Sequence, residues 1–451
     1  MNGTTGQTSH PDRVWSVAEH LADVLAAVRP LEPAERQLLD AQGCVLAEDI
    51  AVPLPLPPFD NSSMDGYAVR VADVADATES APAVLTVIGD VAAGSAELPA
   101  VGPGRAARIM TGAPVPPGAD AVVPVEWTDG GTGRGPAATM RARSAAPQDA
   151  SGEVRVHRPA TAGAHIRRRG SDVAAGEPAL PAGTVLGPSQ IGLLAAIGRG
   201  TVRVRPRPRV VVMSTGSELV QPGEALGPGQ IHDSNSFQLT AAAREAGAVA
   251  YRVGAVADDA GTLRATLEDQ LARADVLVTS GGVSVGAYDV VKETLADLAA
   301  DAAPNGSSGP AVTGRVEFRK LAMQPGKPQG FGLIGADRIP LLALPGNPVS
   351  SYVSFELFVR PVIRTLMGHP DVHRPTARAR CTRAIGSSPK GRRQFLRGTY
   401  DPVAGTVTPV GGSGSHLIKA MAHSDALIVV PEDLTEVPAD ATVEVILLGH
   451  R

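Results

Sequence analysis

Three loops marked by glycine and proline carry the residues best able to do chemistry: STGSEL (214–219), TSGGVSVGAYD (279–289) and LPGNPVS (344–350). In the second, Gly281, Gly282 and Gly286 let backbone N–H groups approach a ligand with no Cβ in the way. Ser280 and Ser284 add hydroxyl donors, so the composition suits an anion. Tight turning alone would use the same glycines. In LPGNPVS, Pro345 and Gly346 lead into Asn347, a good N-cap, and Pro348, suited to the first helical position. A helix start at a strand end is also an anion site, so capping and binding are compatible. A further stretch, MQPGKPQGFG (323–332), sets Lys327 between Gly326 and Pro328, with Lys320 upstream. Of the 41 Lys and Arg residues only five are lysine, which draws attention to these two. A lysine in so stiff a loop has a restricted direction, which favours phosphate contact over a solvated surface charge.

Four carboxylates fall in or near the predicted loops of this domain: Glu218, Asp258, Asp259 and Asp289. Asp259 and Asp289 could simply cap the helices that follow them. Beside anion-binding loops, however, two unit charges about 4 Å apart repel by roughly 4 kcal/mol at an effective dielectric near 20. A hard divalent cation such as Mg²⁺, held by carboxylates and phosphate oxygens together, removes that conflict. These residues therefore imply a metal-assisted site for a phosphorylated ligand. Nearer the N-terminus, FDNSSMDGYAVR (59–70) and RIMTGAPVPPGADAVVPVE (108–126) mix acids, hydroxyls and turns. HIRRRGSD (165–172) adds three adjacent arginines, which cannot all face one ligand from one strand or helix. One or two as phosphate forks, with the rest in ion pairs, is the expected division. Neither a P-loop nor a strand-linked G-x-G-x-x-G occurs, which argues against ordinary triphosphate hydrolysis and Rossmann dinucleotide binding.

These loops need a sheet to align them. The runs RVVVM (209–213), ADVLVTS (274–280) and IPLLAL (339–344) are continuously apolar, as in strands buried on both faces. Helical patterns fill the gaps at Ser236–Glu245, Thr262–Arg273, Val290–Leu298 and Pro348–Arg364. The alternation predicts a doubly wound α/β domain, with ligands beyond the carboxyl ends of its strands. Residues 14–39 predict two helices separated by Pro30 and Pro33, and Ser189–Ile197 predicts another. VPLPLPPFD (52–60) and VRVRPRPRV (202–210) read as extended junctions. Residues 61–165 carry short strand-like runs, Val84–Ile88 and Ala121–Val125, with a Gly/Ala/Ser/Arg-rich excursion over 129–153. After Met367 the pattern returns to strands and turns.

Length and composition bound the function. At roughly 150 residues per domain, 451 residues suggest about three domains, possibly four. Aromatics are only 3%, which disfavours stacking platforms for single-stranded nucleic acid. A net charge of −5 leaves no basic excess for a phosphate backbone, so no nucleic-acid partner is expected. The distant pair Cys44 and Cys381 excludes a disulfide framework, a zinc ribbon and a C-x-x-C motif. The N-terminal residues lack the basic start and apolar run of a signal peptide. No apolar stretch approaches the ~18 residues of a span. The expectation is a soluble cytoplasmic protein with no membrane partner.

Taken in order, FDNSSMDGYAV, RIMTGAPVP, IRRRGSD, STGSEL, TSGGVSVGAYD, PGKP and LPGNPVS resemble one family, the MoeA-type molybdopterin molybdenumtransferases, related to the E domain of gephyrin. The likeness runs from about residue 14 to the C-terminus. It implies an α/β multidomain fold: a doubly wound α/β molybdopterin-binding domain (205–368), a β-rich domain (53–165), a mixed α/β N-terminal domain (1–52 and 166–204) and a C-terminal β-domain (369–451). It also implies molybdenum insertion into adenylylated molybdopterin, using molybdate and Mg²⁺ and releasing AMP. A homodimer with active sites shared between subunits is implied too, with a molybdopterin adenylyltransferase and apo-molybdoenzymes as further partners. Roles transfer by position to Asp65, Thr111, Glu218, Asp289, Lys320 and Lys327 as catalytic groups. Glu218, Asp258, Asp259 and Asp289 form the acidic metal set, with one of the Asp258/Asp259 pair matching the family. Pro345, Pro348, Arg392 or Arg397, and Ser415 fall to substrate binding. One departure is visible: some members read KPGKP where this chain reads QPGKP, so Gln324 implies a weaker or differently arranged oxyanion contact. Two rival readings stand beside this one: the adenylyltransferase step itself, and a non-catalytic dimeric scaffold.

Overall fold

The computed structural model describes residues 13–133, 135–140, 152–256, 259–283, 294–295 and 314–449. The chain divides into two compact units. One comprises Met1–Glu48, Gly183–Gly187 and Val202–Arg451, the other Asp49–Ala182 and Pro188–Thr201.

The first unit is built on a seven-stranded sheet. Its strands are β1 (Val14–Trp15), β2 (Arg209–Thr215), β3 (Val249–Val256), β4 (Val276–Ser280), β5 (Gly314–Leu321), β6 (Pro328–Ile334) and β7 (Ile339–Leu344). The spatial order is β1-β5-β6-β7-β4-β2-β3. Neighbours from β7 to β3 run parallel, and β6 runs antiparallel to both β5 and β7. The three apolar runs read from the sequence are β2, β4 and β7, and both of their faces are buried. Val210, Val212, Val276, Val278 and Leu342 pack with Leu239, Val353, Phe358 and Val362. Val211, Met213, Leu277 and Leu341 pack with Leu263, Leu267 and Leu271. Each such side chain contributes about 1.5–3 kcal/mol on burial, which makes this alternation the main force holding the strands in place.

The covering helices are α1 (Val17–Ala26), α2 (Asn235–Glu245), α3 (Ala260–Leu271) and α4 (Pro348–Ser354). From α4 the chain continues through a π-helical turn, Phe355–Val359, into α5 (Arg360–Leu366). Where a second N-terminal helix was expected, Ala34–Gln37 is a strand in a small sheet with Thr201–Arg205 and Val45–Leu46. AERQ has no apolar face that a helix could bury, and its backbone pairs with Thr201–Arg205 instead. A six-stranded sheet completes this unit, in the order Met323–Gln324, Arg393–Asp401, Thr406–Pro409, Thr376–Cys381, Thr442–Leu447 and Ala426–Val430.

The second unit is β-rich. Its five-stranded sheet runs Glu153–Val156, Ala83–Val91, Arg105–Ile109, Gly66–Val69, Ala121–Pro124. A register shift between Val87 and Asp90 turns Asp90 towards its cross-strand partner Arg108. The resulting ion pair, 2.6 Å from Nε to Oδ1, is buried. Ile166–Arg167 pairs with Asn61–Ser62, and a helix spans Pro188–Ala196.

Helix α1 begins with a capping box: Glu19 N–H donates to Ser16 Oγ at 3.1 Å, and Ser16 N–H to Glu19 Oε2 at 2.8 Å. One turn in, His20 is 2% exposed, edge-on to Phe358. Arg319 Nη1 stands 3.3 Å from its Nδ1, and Asp23 pairs with the same guanidinium. Burial, reinforced by the Arg319 charge and only partly opposed by Asp23, depresses the imidazole pKa to about 3 from 6.5. The unfolded chain therefore takes up this proton first, and stability present at neutral pH is lost as pH falls below about 6.5 towards 3. The loss approaches ~1.4 kcal/mol per pH unit inside that window. Thermal melts from pH 7 to 4.5 should show a shallower acid limb for His20→Gln than for the parent chain. Parallel limbs would rule out His20 as the titrating group.

Candidate functional site

The winding of the first unit creates a crevice. From β2 the chain crosses to the edge strand β3, then returns past β2 to β4 and on to β7. The direction of winding reverses between β2 and β4, so a crevice opens beyond their carboxyl ends. Register aligns the ends: Ser214 lies opposite Ser280, and Ser280 opposite Leu344. The three loops singled out from the sequence thus leave one rim side by side. Their backbones nearly touch. Gly281 has φ +104°, and a Cβ on it would stand 2.4 Å from the Thr215 carbonyl oxygen. Its N–H donates to the Leu344 carbonyl at 3.1 Å. A Cβ on Gly346 would lie 3.5 Å from Gly281 Cα.

Side chains tie the rim together. Asn235, the first residue of α2, donates from Nδ2 to Ser280 Oγ at 2.8 Å and to the Gly346 carbonyl at 2.6 Å. Ser280 Oγ in turn donates to the Pro345 carbonyl at 3.2 Å. Beneath them Asp233, 1% exposed, accepts from Ser214 Oγ at 2.8 Å, from Ser236 N–H at 3.1 Å and from Ser236 Oγ. Arg252 lies 3.8 Å away and balances its charge. The sequence reading missed Asp233 and Asn235. Their only signal was the D-S-N cluster ahead of a helical pattern, which reads as an ordinary start. Three oxygens of the rim are buried without a hydrogen-bond partner among the described residues: Asn235 Oδ1, Thr215 Oγ1 and Thr279 Oγ1. Such orphans mark a place where a ligand or water completes the bonding.

The expected ionic residues are placed unevenly. Glu218 is exposed and folds back over Gly216 at the end of β2, where a Cβ would meet its Oε2 at 2.5 Å. Asp259 caps α3, its Oδ2 accepting from Thr262 N–H at 2.7 Å and Thr262 Oγ1 at 2.6 Å. The hydroxyl bond, then the N–H bond, lowers its pKa below the ordinary carboxylate value. Asp258, Ser284, Gly286 and Asp289, with most of the helix expected at Val290–Leu298, lie outside the described residues. Among the described residues no three His, Cys, Asp or Glu side chains gather as a metal site. Lys320 and Lys327 flank the loop of the β5–β6 hairpin, in which Lys320 lies opposite Pro328; Lys320 is half-buried and Lys327 exposed. Asn347 occupies the N-cap position of α4, but its side chain makes no capping bond. The Val349 N–H there donates instead to the Ser415 carbonyl at 3.0 Å, which brings the SGSH segment to the rim. Arg392 is half-buried, whereas Arg397 is 1% exposed and donates from Nη2 to the Gly412 carbonyl. Its Nε and Nη1 have no partner among the described residues, and burial lowers its pKa.

The second unit holds its own cluster. Asp65 Oδ1 accepts from Thr111 N–H at 2.7 Å and from Thr111 Oγ1 at 2.9 Å, so MDGY and MTGAP meet. Strand pairing sets this contact, because Gly66 lies opposite Ile109. Asp60 accepts from Arg168 Nη1 and from Arg169 N–H, each at 2.7 Å. These two bonds, the N–H bond first, hold the Asp60 pKa below its ordinary value. One of the three arginines is thus in an ion pair, and Arg167 and Arg169 are exposed beside it.

Comparison with known proteins covers almost the whole chain. Residues 15–198 match the MoeA N-terminal region (domain I and II), 211–365 a probable molybdopterin binding domain, and 378–448 the MoeA C-terminal region (domain IV). Molybdopterin molybdenumtransferase 2 of Mycobacterium tuberculosis is 45% identical over 430 residues, 95% of this chain and 98% of that protein. The molybdopterin molybdenumtransferase of Bacillus subtilis is 33% identical, over 90% of this chain and 87% of its own. The crystal structure of the molybdopterin biosynthesis moeA protein from Pyrococcus horikosii is 32% identical. It superposes with a TM-score of 0.74, over 97% of this chain and 100% of that one.

The close approach at Gly281 makes a measurable demand. Gly281→Ala adds a 2.4 Å clash with backbone to an unfavourable φ, whereas Gly223→Ala, at φ +97° in open space, adds strain alone. Backbone strain of that kind costs about 1–3 kcal/mol. Gly281→Ala should therefore lower the melting temperature clearly more than Gly223→Ala; equal losses would disprove the close approach.

Proposed function

The chain belongs to the MoeA family, and on that premise we propose that it inserts molybdenum into molybdopterin, taking adenylylated molybdopterin and molybdate as substrates with Mg²⁺ and releasing AMP. The observation that carries this reading is the convergence of three strand-end loops on one rim beside the point where the winding reverses, with glycine backbones in close approach and three orphaned oxygens among the described residues.

The residues divide the work by their chemistry. The Gly282 N–H suits a phosphate oxygen of the ligand, while the Gly281 N–H and the Ser280 hydroxyl, bonded to the Leu344 and Pro345 carbonyls, hold the loop that presents it. Asn235 fixes Ser280 and Gly346 relative to each other, so that the donors are set before substrate arrives. Lys320 and Lys327 supply positive charge for the oxyanion, and Arg397 is a second source. The rim fits a hard cation, since its donors are oxygens and an exposed carboxylate, Glu218, stands at the end of β2. Glu218 and, as the resemblance implies, one or more of Asp258 and Asp289 would hold Mg²⁺ together with phosphate oxygens, hard oxygen donors of the kind this ion takes. Bound there, the ion supplies neutralisation of the diphosphate and polarisation of the phosphoryl group.

The assembly is a homodimer in which Asp65 and Thr111 of one subunit complete the crevice of the other. The setting is cytoplasmic; among the described residues no helix is long and apolar enough to cross a membrane. A molybdopterin adenylyltransferase supplies the substrate, and apo-molybdoenzymes take the product.

The test is to supply adenylylated molybdopterin, molybdate and Mg²⁺, and to follow AMP release together with activation of an apo-molybdoenzyme. Adenylylation of molybdopterin from ATP instead would favour the adenylyltransferase. Glu218→Gln keeps the shape and removes the charge. Its rate should fall by on the order of a hundredfold or more, with an unchanged melting curve because the side chain is exposed. Full activity at limiting Mg²⁺ would remove Glu218 from the metal site.

A further inference from the structure

Gln329 is a polar residue where strand patterning calls for an apolar one. It follows Pro328 on β6 and is 1% exposed. It shares a sheet face with Phe331, which packs in the core cluster that includes Leu321, Met323 and Val353. Leucine or methionine would serve that core at lower cost, since a buried amide must find its bonds there. Gln329 finds two: its Nε2 donates to the Gly326 carbonyl at 2.7 Å and to Ser354 Oγ, in α4, at 2.6 Å.

The position of those bonds matters. Lys327 sits between two peptide groups, and both carbonyls are held. The Gly326 carbonyl accepts from Gln329, and the Lys327 carbonyl accepts from Leu321 N–H at 2.7 Å. Two fixed peptide planes determine the direction in which the Lys327 side chain leaves the backbone. Gly326 is the weak point. It has φ +98°, and a Cβ there would stand 2.9 Å from Ser354 Oγ and 3.3 Å from Gln329 Nε2. A glycine with this freedom can rotate its carbonyl once the Gln329 donor is gone. Ser354 is itself fully buried, on the helix that begins at Pro348 beside the crevice. The Gln329 amide is thus the link between the PGKP loop and the LPGNPVS helix.

We propose that Gln329 is a positioning residue for the transfer reaction, acting through Lys327 by locking the Gly326–Lys327 peptide plane against α4. The inference rests on the proposed contact between Lys327 and the oxyanion substrate. It adds what directs that contact, from a residue that never reaches the substrate.

A double-mutant cycle on the full-length protein tests it, with the KM for molybdate, the KM for adenylylated molybdopterin and kcat read for Gln329→Met, Lys327→Ala and the double variant. Misplacement of one group by about 1 Å can cost up to a hundredfold. Gln329→Met should therefore raise the KM for molybdate about tenfold or more and leave that for the pterin unchanged. Added to Lys327→Ala it should cost nothing further, because its effect passes through the lysine. A purely structural role would give losses that add, spread over both substrates, and would overturn the proposal. An unchanged KM for molybdate in Gln329→Met, with Lys327→Ala impaired, would overturn it while sparing the proposed function. An unchanged KM in Lys327→Ala would overturn the lysine contact and this inference together. Should Gln329→Met fail to fold, Ser354→Ala in the same cycle decides: coupling to Lys327 supports the lock, and additivity overturns it.

Discussion

Three strand ends must come close enough for their backbones to touch, and most of the first unit is arranged around that constraint. The approach of Gly281 to the Thr215 carbonyl leaves no room for a side chain, and Gly346 closes on Gly281 from the other side. Parallel register brings Ser214, Ser280 and Leu344 level, and only then can the loops that follow share a crevice. Burial on both sheet faces supplies the energy for that register. A one-residue slip would exchange the two sets of core side chains at once. The glycines relax the sterics, and the core makes their position rigid. Neither is sufficient alone.

Rigidity has a second source in polar groups satisfied internally. Asp233 is buried at the base of the crevice, yet its carboxylate is occupied by Ser214 and Ser236, with Arg252 nearby. It fixes the start of α2 rather than meeting a ligand. Asn235, two residues on, bonds two rim loops through one nitrogen and keeps an oxygen without a partner among the described residues. The contrast explains how a carboxylate can be buried beneath the rim. Its charge is compensated by α2 and Arg252, whereas Glu218 is exposed and has no such burial.

The legibility of this fold from sequence follows from the same physics. The strands β2, β4 and β7 could be read because a strand buried on both faces has a continuous apolar run, and loops with glycine and proline punctuate it. The Asp65–Thr111 contact could be expected only as a family likeness, since forty-six positions separate the two and strand pairing joins them. Asp233 and Asn235 were hidden because capping residues and site residues share the same types. Asn347 shows the reverse error: its type suits a cap, but the cap bond at α4 comes from the Ser415 carbonyl across a long sequence distance. The strand at Ala34–Gln37 was missed because its pairing partner, Thr201–Arg205, lies far along the chain. Burial of Arg397 was equally invisible, since an arginine in a β-pattern normally reaches solvent.

Gln324 shows the same use of a polar side chain to fix a loop. In this chain its Oε1 accepts from Gln394 Nε2 at 3.0 Å, across the paired strands Met323–Gln324 and Arg393–Gln394. A lysine in its place offers only donors, so it could not accept from that amide. Beside the lysine that the family resemblance leads one to expect at this position, glutamine therefore does two things. It removes one positive charge from the loop that carries Lys327, and it spends the side chain on joining the loop to the C-terminal sheet. With Gln329 bonded to the Gly326 carbonyl and Gln394 bonded to Gln324, the loop is anchored on both sides of Pro325 by amides rather than by charges. Amide anchors are indifferent to salt and to a bound anion, whereas an ammonium would be drawn towards either. The loop's geometry is thereby separated from its electrostatics, which leaves the positive potential to Lys320, Lys327 and the buried Arg397.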